Sequence, residues 1–261
     1  MTARRAPTIR ATIERRLLVN YRVDPDVLVA FLPPPFRPVV VDGYGVAGIC
    51  LIRLGGIRPA GLRPAHGLGF GLTSENAAHR VAVQWDTPDG PVTGVYIPRR
   101  DTSSRLTAIL GGRAFPGWHH RAHFDVQEGG SVWRVEMRSR DGTVEVVVAA
   151  RRAERVMDGS VFGSVEDASA FFRCAPVGYA ATPRAGVFDG VELTAERWAI
   201  EPLHLQGVRS SVFDDPARFP RGTAVVDSAF LMADVDSTWK SQPSLVSSVA
   251  RTGRQATRTR Q

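Results

Sequence analysis

The sequence predicts a mainly β (α+β) fold in a single domain, and three observations lead to this prediction. Stretches that alternate apolar and polar residues recur along most of the chain, which is the pattern of half-buried strands. Turn dipeptides such as Asp141-Gly142 separate several of these stretches. Helical patterns are few and do not alternate with strands as in a parallel sheet. We therefore expect an antiparallel sheet or barrel with a few short helices.

The clearest strands are expected within residues 118–151. Residues 131–138 alternate apolar and polar side chains, and residues 144–148 follow the Asp141-Gly142 turn. A Gly129-Gly130 pair precedes both runs, so this block predicts a β-meander. Further strands are expected, in chain order, over residues 13–22, 37–41, 45–53, 78–86, 92–98, 190–200, 204–213 and 224–233.

Three short helices are expected between the strands. Asp24 is a candidate N-cap, because a proline follows it, and this helix runs to about Leu32 before a run of prolines. A second helix is expected from Asp101 to about Gly112. Ser164 begins a capping-box-like sequence and so predicts the start of a third helix.

The positive charge of the chain is concentrated at its two ends. The net charge is +7, yet four arginines in residues 251–261 and three in residues 1–10 equal this excess, with no acidic residue in either stretch. Such ends are more often solvated tails than nucleic-acid-binding faces. We expect disordered basic tails at residues 1–11 and 243–261, one folded domain over residues 12–242, and no nucleic-acid partner.

The cysteines and the apolar runs bear on the cellular compartment. Cys50 and Cys174 are the only cysteines, and both have apolar neighbours, so we expect buried free thiols rather than a disulfide scaffold. The N-terminal residues lack the apolar segment of a secretory signal. No apolar run approaches the length that spans a membrane. These observations predict a cytoplasmic protein with no membrane partner.

Three of the six histidines are clustered at His119, His120 and His123. Imidazole is the side chain best suited to move a proton or to bind a metal near pH 7. On a strand, His120 shares a face with Ala122 and Phe124, and this mainly apolar face favours His120 as the inward histidine. His119 and His123 would lie about 13 Å apart on the other face, too far to share one metal ion without a bend. Other histidines could supply metal ligands in space: His66, His79 and His204.

Several stretches together carry a family resemblance. They are residues 15–25, Leu32-Pro33, Thr73-Ser74-Glu75 and Arg113-Ala114-Phe115-Pro116, followed by Phe171-Phe172-Arg173, Tyr179, Trp198 and Leu231-Met232. The first half resembles acetoacetate decarboxylase. The second half is more similar to a bacterial branch of the same superfamily that is described as a domain of unknown function. The resemblance extends over roughly residues 12–242 and implies a closed, cone-like antiparallel β-barrel with an internal active site, in a homo-oligomer.

The resemblance also implies a mechanism and its residues. In the decarboxylase, a lysine beside a second lysine forms a Schiff base with a β-keto acid, and an arginine and a glutamate position the substrate. Glu75 matches the family glutamate, and Arg15 is the nearest match to the arginine. The lysine pair falls around His119 and His120, where this chain has no lysine, and the single lysine is Lys240. Schiff-base chemistry is therefore not expected.

Two further features indicate a pocket for a small molecule. Arg15 and Arg16 point to opposite faces of their strand, so one of them faces inward. An inward arginine needs an anion, either a buried acid or a substrate carboxylate. Trp118 is a candidate to line an apolar pocket, although tryptophans on strands are more often plain core residues.

The function expected from these observations is an enzyme that acts on an oxo acid or a polyketide-like carbonyl compound. It would use acid–base chemistry for an enolisation, lyase, dehydratase or cyclase reaction, without a Schiff-base lysine and without a cofactor. The residues expected to carry it are His120, Glu75 and His119 for proton transfer, and Arg15, Arg16 and Trp118 for substrate binding. One alternative is a non-catalytic barrel that binds a hydrophobic small molecule, with Glu75 outside its pocket. The other is a metal-dependent enzyme that uses the histidines.

Overall fold

The computed structural model describes residues 7–62, 72–110 and 117–247. Within these ranges the chain forms one 13-stranded sheet and three short helices. The strands are β1 (Ile9–Val23), β2 (Arg37–Pro38), β3 (Val40–Val41), β4 (Tyr44–Pro59), β5 (Leu72–Thr87), β6 (Gly90–Thr102), β7 (His120–Gly129), β8 (Val132–Ser139), β9 (Glu145–Arg152), β10 (Val177–Ala181), β11 (Val187–Ala195), β12 (Glu201–Ser210) and β13 (Ala224–Val246). The helices are α1 (Pro25–Phe31), α2 (Arg105–Leu110) and α3 (Val165–Arg173). The prediction of a mainly β fold is confirmed.

Seven strands close into a ring of hydrogen-bonded neighbours. The order is β13-β1-β4-β5-β6-β10-β11, and β11 pairs back to β13. We call this the seven-strand ring. The expected meander is present as β7, β8 and β9, which continue through β12 to β13 as a second path from β6. The pairings are antiparallel except for those of β6 with β10 and with β7, which are parallel.

Strands β1, β4 and β13 of the ring bury both of their faces along part of their length. In β1, Leu17 and Val19 belong to a hydrophobic cluster that includes residues of β7, β8, β9 and β12. Leu18 lies on the opposite face, in a second cluster with Phe230 of β13 and Phe162. Alternate residues of a strand point to opposite faces, and a strand buried on both faces needs apolar residues at successive positions. This requirement accounts for the continuous apolar run at residues 17–19.

Two of the expected helices begin where the sequence predicts them. The Asp24 side chain accepts a hydrogen bond from the Asp26 backbone N–H, and Ser164 caps α3 by accepting one from Asp167. The second helix begins later than expected, because Asp101 belongs to β6. Its cap is Ser104, whose side-chain oxygen accepts a hydrogen bond from the Thr107 backbone N–H at 3.1 Å. The expected end of this helix at Gly112 lies outside the described residues.

The sheet extends past both expected ends of the domain. β1 begins at Ile9 rather than at residue 12, because Ile9 pairs with both β13 and β4. β13 continues to Val246 because its last part pairs with β11. Of the two expected tails, residues 1–6 and 248–261 lie outside the described part of the chain.

Only one of the two cysteines is buried. Cys50 is buried in β4, whereas Cys174 is exposed, which corrects the expectation of two buried thiols. Cys174 follows the last residue of α3 as its C-cap, and such a position lies at the end of a helix rather than on its packed face. Among the described residues, no helix has the length and apolar character needed to cross a membrane.

Candidate functional site

A cavity of about 500 Å³ lies inside the seven-strand ring. Each of the seven strands contributes at least one residue to its wall, and α3 covers it with Phe171 and Phe172. Exposed residues Arg173 and Pro176 also line the cavity, so it reaches the surface beside them. A mainly apolar cavity with a few polar groups is the usual form of a small-molecule site.

Three arginines from three different strands line this cavity. Arg16 lies on β1, Arg80 on β5 and Arg100 on β6. Within the described part of the chain, no carboxylate forms an ion pair with Arg16 or Arg80. Burying a cation without an anion is costly, and a carboxylate or phosphate ligand would offset this cost with charge-assisted hydrogen bonds.

Arg16 and Arg80 are held mainly by groups without charge. The Arg16 Nε donates to the Cys50 Sγ at 3.2 Å, and its guanidinium lies 5.9 Å from the ring centre of Trp198. Arg80 is only 6% exposed, donates to the Asn20 side chain and lies 4.9 Å from the ring centre of Phe172. The buried Arg16 Nη1 and Arg80 Nε atoms have no hydrogen-bond partner among the described residues. Two buried donors therefore remain without a hydrogen-bond partner in the described part of the chain.

Burial lowers the pKa of two of these arginines, Arg80 and Arg100. It lowers the pKa of Arg80 to about 10, with a further small lowering from the nearby charge of Arg16. Burial also lowers the pKa of Arg100 to about 10, and the charge of Asp189 opposes this change. Both side chains remain cationic at pH 7, so the cavity carries an electropositive wall.

His119 also lines the cavity, and its protonation state is well defined. Burial, aided by the charge of Arg100, lowers the pKa of His119 to about 3. Its Nδ1 lies 3.1 Å from the carbonyl oxygen of Gly117. A carbonyl can only accept, so Nδ1 carries the proton and Nε2 keeps its lone pair. Nε2 has no partner among the described residues, and His119 therefore supplies a neutral acceptor.

The backbone conformation of Gly117 determines where the His119 side chain lies. Gly117 has a φ of 85°, in the left-handed region that glycine adopts without steric cost. A Cβ at this residue would also lie 2.7 Å from the Cβ of Ala180, so a side chain would clash there. The turn precedes β7 and brings His119 to the cavity.

His120 lies elsewhere, although strand alternation favoured it as the inward histidine. It is the first residue of β7, is partly exposed, and its Nδ1 lies 3.1 Å from Asp141 Oδ2. Trp118 is 51% exposed and packs edge-on against His120 at a ring separation of 6.4 Å. Both residues line a second, shallower pocket of about 410 Å³. Side chains alternate between the two faces only within a strand, and His119 lies one residue before the start of β7.

Arg15 and Glu75 do meet, but they face away from the cavity. Glu75 pairs with both Arg15 and Arg53, and the distance to the Arg53 Nε is 2.6 Å. Glu128 completes the group by pairing with the same two arginines. Arg15 is only 2% exposed. Of the two neighbouring arginines, Arg15 has the carboxylates of Glu75 and Glu128 as partners and Arg16 has none among the described residues, so Arg16 is the one available to a ligand.

We expect the Glu75→Gln substitution to destabilise the fold, because it leaves the buried Arg15 with one carboxylate fewer. The free energy of unfolding should fall by about 2–4 kcal/mol, as measured by urea denaturation. Asp86→Asn is the matched control, since Asp86 pairs with Arg37 on the exposed surface and such pairs contribute little. Equal losses in the two variants would contradict a structural role for Glu75.

The remaining predicted groups do not contribute to this site. Lys240 is exposed on β13, as expected. Among the residues that the structure describes, no group of three or more His, Cys, Asp or Glu side chains is placed to bind a metal ion. His66 and the Arg113–Pro116 stretch lie outside the described residues. This part of the chain therefore gives no support to a metal-dependent enzyme.

Sequence reasoning missed Arg80, Arg100 and Cys50. A signal existed for Arg80, because it shares a strand face with Ala78 and Ala82, as an inward residue would. Arg100 follows another arginine, and nothing in the local sequence distinguishes the two. Only the pairing of β6 with β5 and β10 places Arg100 on the cavity side.

No protein-family model and no curated protein matches the chain. Solved structures do match it, among them an acetoacetate decarboxylase from Legionella pneumophila, with a TM-score of 0.59 and 15% identity over 92% of this chain and 88% of that one. An acetoacetate decarboxylase-like enzyme from Sphingomonas wittichii gives a TM-score of 0.56 and 13% identity over 92% of each chain. The enduracididine biosynthesis enzyme MppR, complexed with pyruvate, gives 0.55 and 14% over 92% and 90%. The chain therefore has the acetoacetate decarboxylase-like fold.

Proposed function

We propose that the chain is an enzyme that binds a small oxo acid in the cavity of the seven-strand ring and transfers a proton on it without a Schiff base. The observation that carries this proposal is that Arg16 and the buried Arg80, neither of which has an acidic partner among the described residues, line one cavity with the neutral His119. A solved neighbour complexed with pyruvate, MppR, has the same fold and supports this class of ligand.

The arginines account for recognition of the carboxylate. The Arg16 Nη1 and Arg80 Nε, which have no partner in the part of the chain that the structure describes, supply charge-assisted hydrogen bonds to the carboxylate oxygens. Arg100, on the neighbouring strand β6, supplies positive charge for the ketone oxygen as it becomes an enolate. The rings of Phe172 and Trp198 enclose the apolar part of the ligand.

His119 is the group proposed to take the proton. Its Nε2 lone pair accepts a proton from the carbon next to the ketone, and Gly117 holds the ring in this tautomer. In the free protein the imidazole is a weak base because burial lowers its pKa to about 3. A bound carboxylate adds a negative charge nearby, which raises the histidine pKa and makes it a stronger base. His119 thus replaces His120 and Glu75 in the proposed reaction, since neither of these lines the cavity.

A deuterium exchange experiment tests this function. Pyruvate is incubated with the protein in D2O, and the loss of its methyl proton signal is followed by NMR. We expect exchange about 10²-fold faster than in buffer alone, and no labelling of Lys240 after borohydride treatment. Exchange at the buffer rate would overturn the enzymatic proposal for this ligand class, and borohydride labelling would overturn its lysine-independent form.

A non-catalytic binding protein is the second candidate. It is favoured by the largely apolar wall and by the position of Glu75 outside the cavity. The same samples separate the two functions, because a binding protein would shift and broaden the pyruvate signal without accelerating exchange.

A further inference from the structure

Cys50 occupies an unusual position for a buried cysteine. It lines the cavity, is 7% exposed, and its sulfur accepts a hydrogen bond from the Arg16 Nε at 3.2 Å. It also lies close enough to Arg80 and Arg100 that a charged sulfur would raise the pKa of both, against the lowering caused by burial. Arginines next to a cysteine create the environment in which thiolates act as nucleophiles.

A second observation points to a ligand beside this sulfur. Arg80 is nine-tenths buried, lines the same cavity, and has an Nε without a partner among the described residues. The Arg16 Nη1 is also buried and has no hydrogen-bond partner among the described residues. The Nε of the same arginine donates to the Cys50 sulfur. A carboxylate that satisfies these two donors would therefore lie next to the Cys50 sulfur.

We propose that Cys50 is a nucleophile that adds to unsaturated oxo acids held by the arginines of this cavity. The proposal rests on the proposed function, because it assumes that the cavity receives a carboxylate. It goes beyond that function by assigning a covalent step and a narrower class of ligand, in which the ketone is conjugated with a carbon–carbon double bond.

The step is a conjugate addition, with no leaving group and no oxidant or reductant. The thiolate sulfur forms a bond to the alkene carbon farther from the ketone, and the electron pair of the double bond moves to give an enolate. Arg100 stabilises the enolate oxygen, and the carbon between takes up the proton that the thiol released, with neutral His119 able to carry it. The product is a thioether with the full mass of the acid, and the reverse step restores the thiol.

Alkylation with two reagents of similar size tests the charge environment of the sulfur. Cys174→Ser leaves Cys50 as the only thiol, and Cys50→Ser leaves the exposed Cys174 as the matched control. Each variant is treated with iodoacetate, which is anionic, and with iodoacetamide, which is neutral. Mass spectrometry gives the rate of carboxymethylation relative to carbamidomethylation, and this ratio cancels the difference in accessibility between the two sites.

We expect this ratio to be at least about tenfold higher at Cys50 than at Cys174, because the arginines near Cys50 attract a negatively charged reagent. Adding Arg80→Met to the Cys174→Ser variant should lower the ratio. β-Acetylacrylate should then form an adduct of its full mass on Cys50 and none on Cys174 at the same concentration. Equal ratios at the two cysteines, or no adduct on Cys50, would overturn the proposal.

The failure of this proposal is distinguishable from failure of the proposed function. If pyruvate exchange is accelerated while Cys50 shows no preference for iodoacetate and forms no adduct, only the nucleophile is excluded. If Cys50 prefers iodoacetate and forms the adduct while pyruvate is not exchanged, the nucleophile stands and the proton-transfer function fails. Circular dichroism of each variant before alkylation establishes that it is folded.

Discussion

Replacing Arg80 with methionine is expected to make the protein more stable and to remove most of its affinity for carboxylate ligands. Burial holds the pKa of Arg80 down to about 10, a lowering that corresponds to about 3 kcal/mol against the charged form. Methionine has a similar length and no charge to desolvate. Part of this gain is lost because the Asn20 oxygen gives up its bond from Arg80, at about 1 kcal/mol. A net increase of about 1–2 kcal/mol in unfolding free energy should remain.

The affinity should change in the opposite direction. Losing one donor of a buried charged hydrogen bond costs about 2–5 kcal/mol, so the dissociation constant of pyruvate should rise by at least about 30-fold. Urea denaturation and NMR titration of the same samples measure the two effects. Arg37→Met is the control, because Arg37 is exposed and pairs with Asp86 away from the cavity. A stabilised variant that still binds pyruvate normally would contradict the assignment of Arg80 to the ligand site.

Replacing His119 with glutamine is expected to reduce pyruvate exchange by about 10²-fold, to the rate in buffer alone, which is within the usual contribution of a positioned acid–base group. Glutamine can still bond to the Gly117 carbonyl, so the cavity should keep its shape and most of its affinity. Its side chain cannot take up a proton, however, so the exchange step itself should be lost. The measurement is the NMR exchange rate at saturating pyruvate.

His120→Gln is the matched control for this variant. His120 adjoins His119 in sequence but faces Asp141 outside the cavity, so its exchange rate should equal that of the original protein. Loss of exchange in His120→Gln, with full exchange in His119→Gln, would restore the assignment based on strand alternation.

The low pKa of His119 also predicts how stability depends on pH. The unfolded chain protonates this group near pH 6.5, whereas the folded chain does so only near pH 3. The unfolded state therefore binds more protons in this window, and stability falls as the pH is lowered through it. Urea denaturation between these pH values should show a weaker fall for His119→Gln than for the original protein. An identical pH dependence would show that His119 is not buried in its neutral form.

The comparison of sequence and structure is most informative at residues 118–123. The meander was predictable from the alternation of apolar and polar residues in β8, where Trp133, Val135 and Met137 are buried and Arg134 is exposed. Such alternation is set by neighbouring residues of one strand, so it is visible in the sequence. The inward histidine was not predictable in the same way. His119 lies one residue before β7, where the turn at Gly117 rather than the pleat of a strand sets its direction.

The sequence by itself determined the mainly β class, the caps at Asp24 and Ser164, and the lack of any lysine other than Lys240. Periodicity, capping and composition are all encoded within a few neighbouring residues, so they can be read without coordinates. The tertiary structure alone decided that the buried Arg15 pairs with Glu75 and Glu128 while Arg16, Arg80 and Cys50 share a cavity. Closure of the seven-strand ring, by the pairing of β1 and of β11 with β13, forms that cavity. Pairings between strands that do not follow one another in the chain leave no local signal in the sequence.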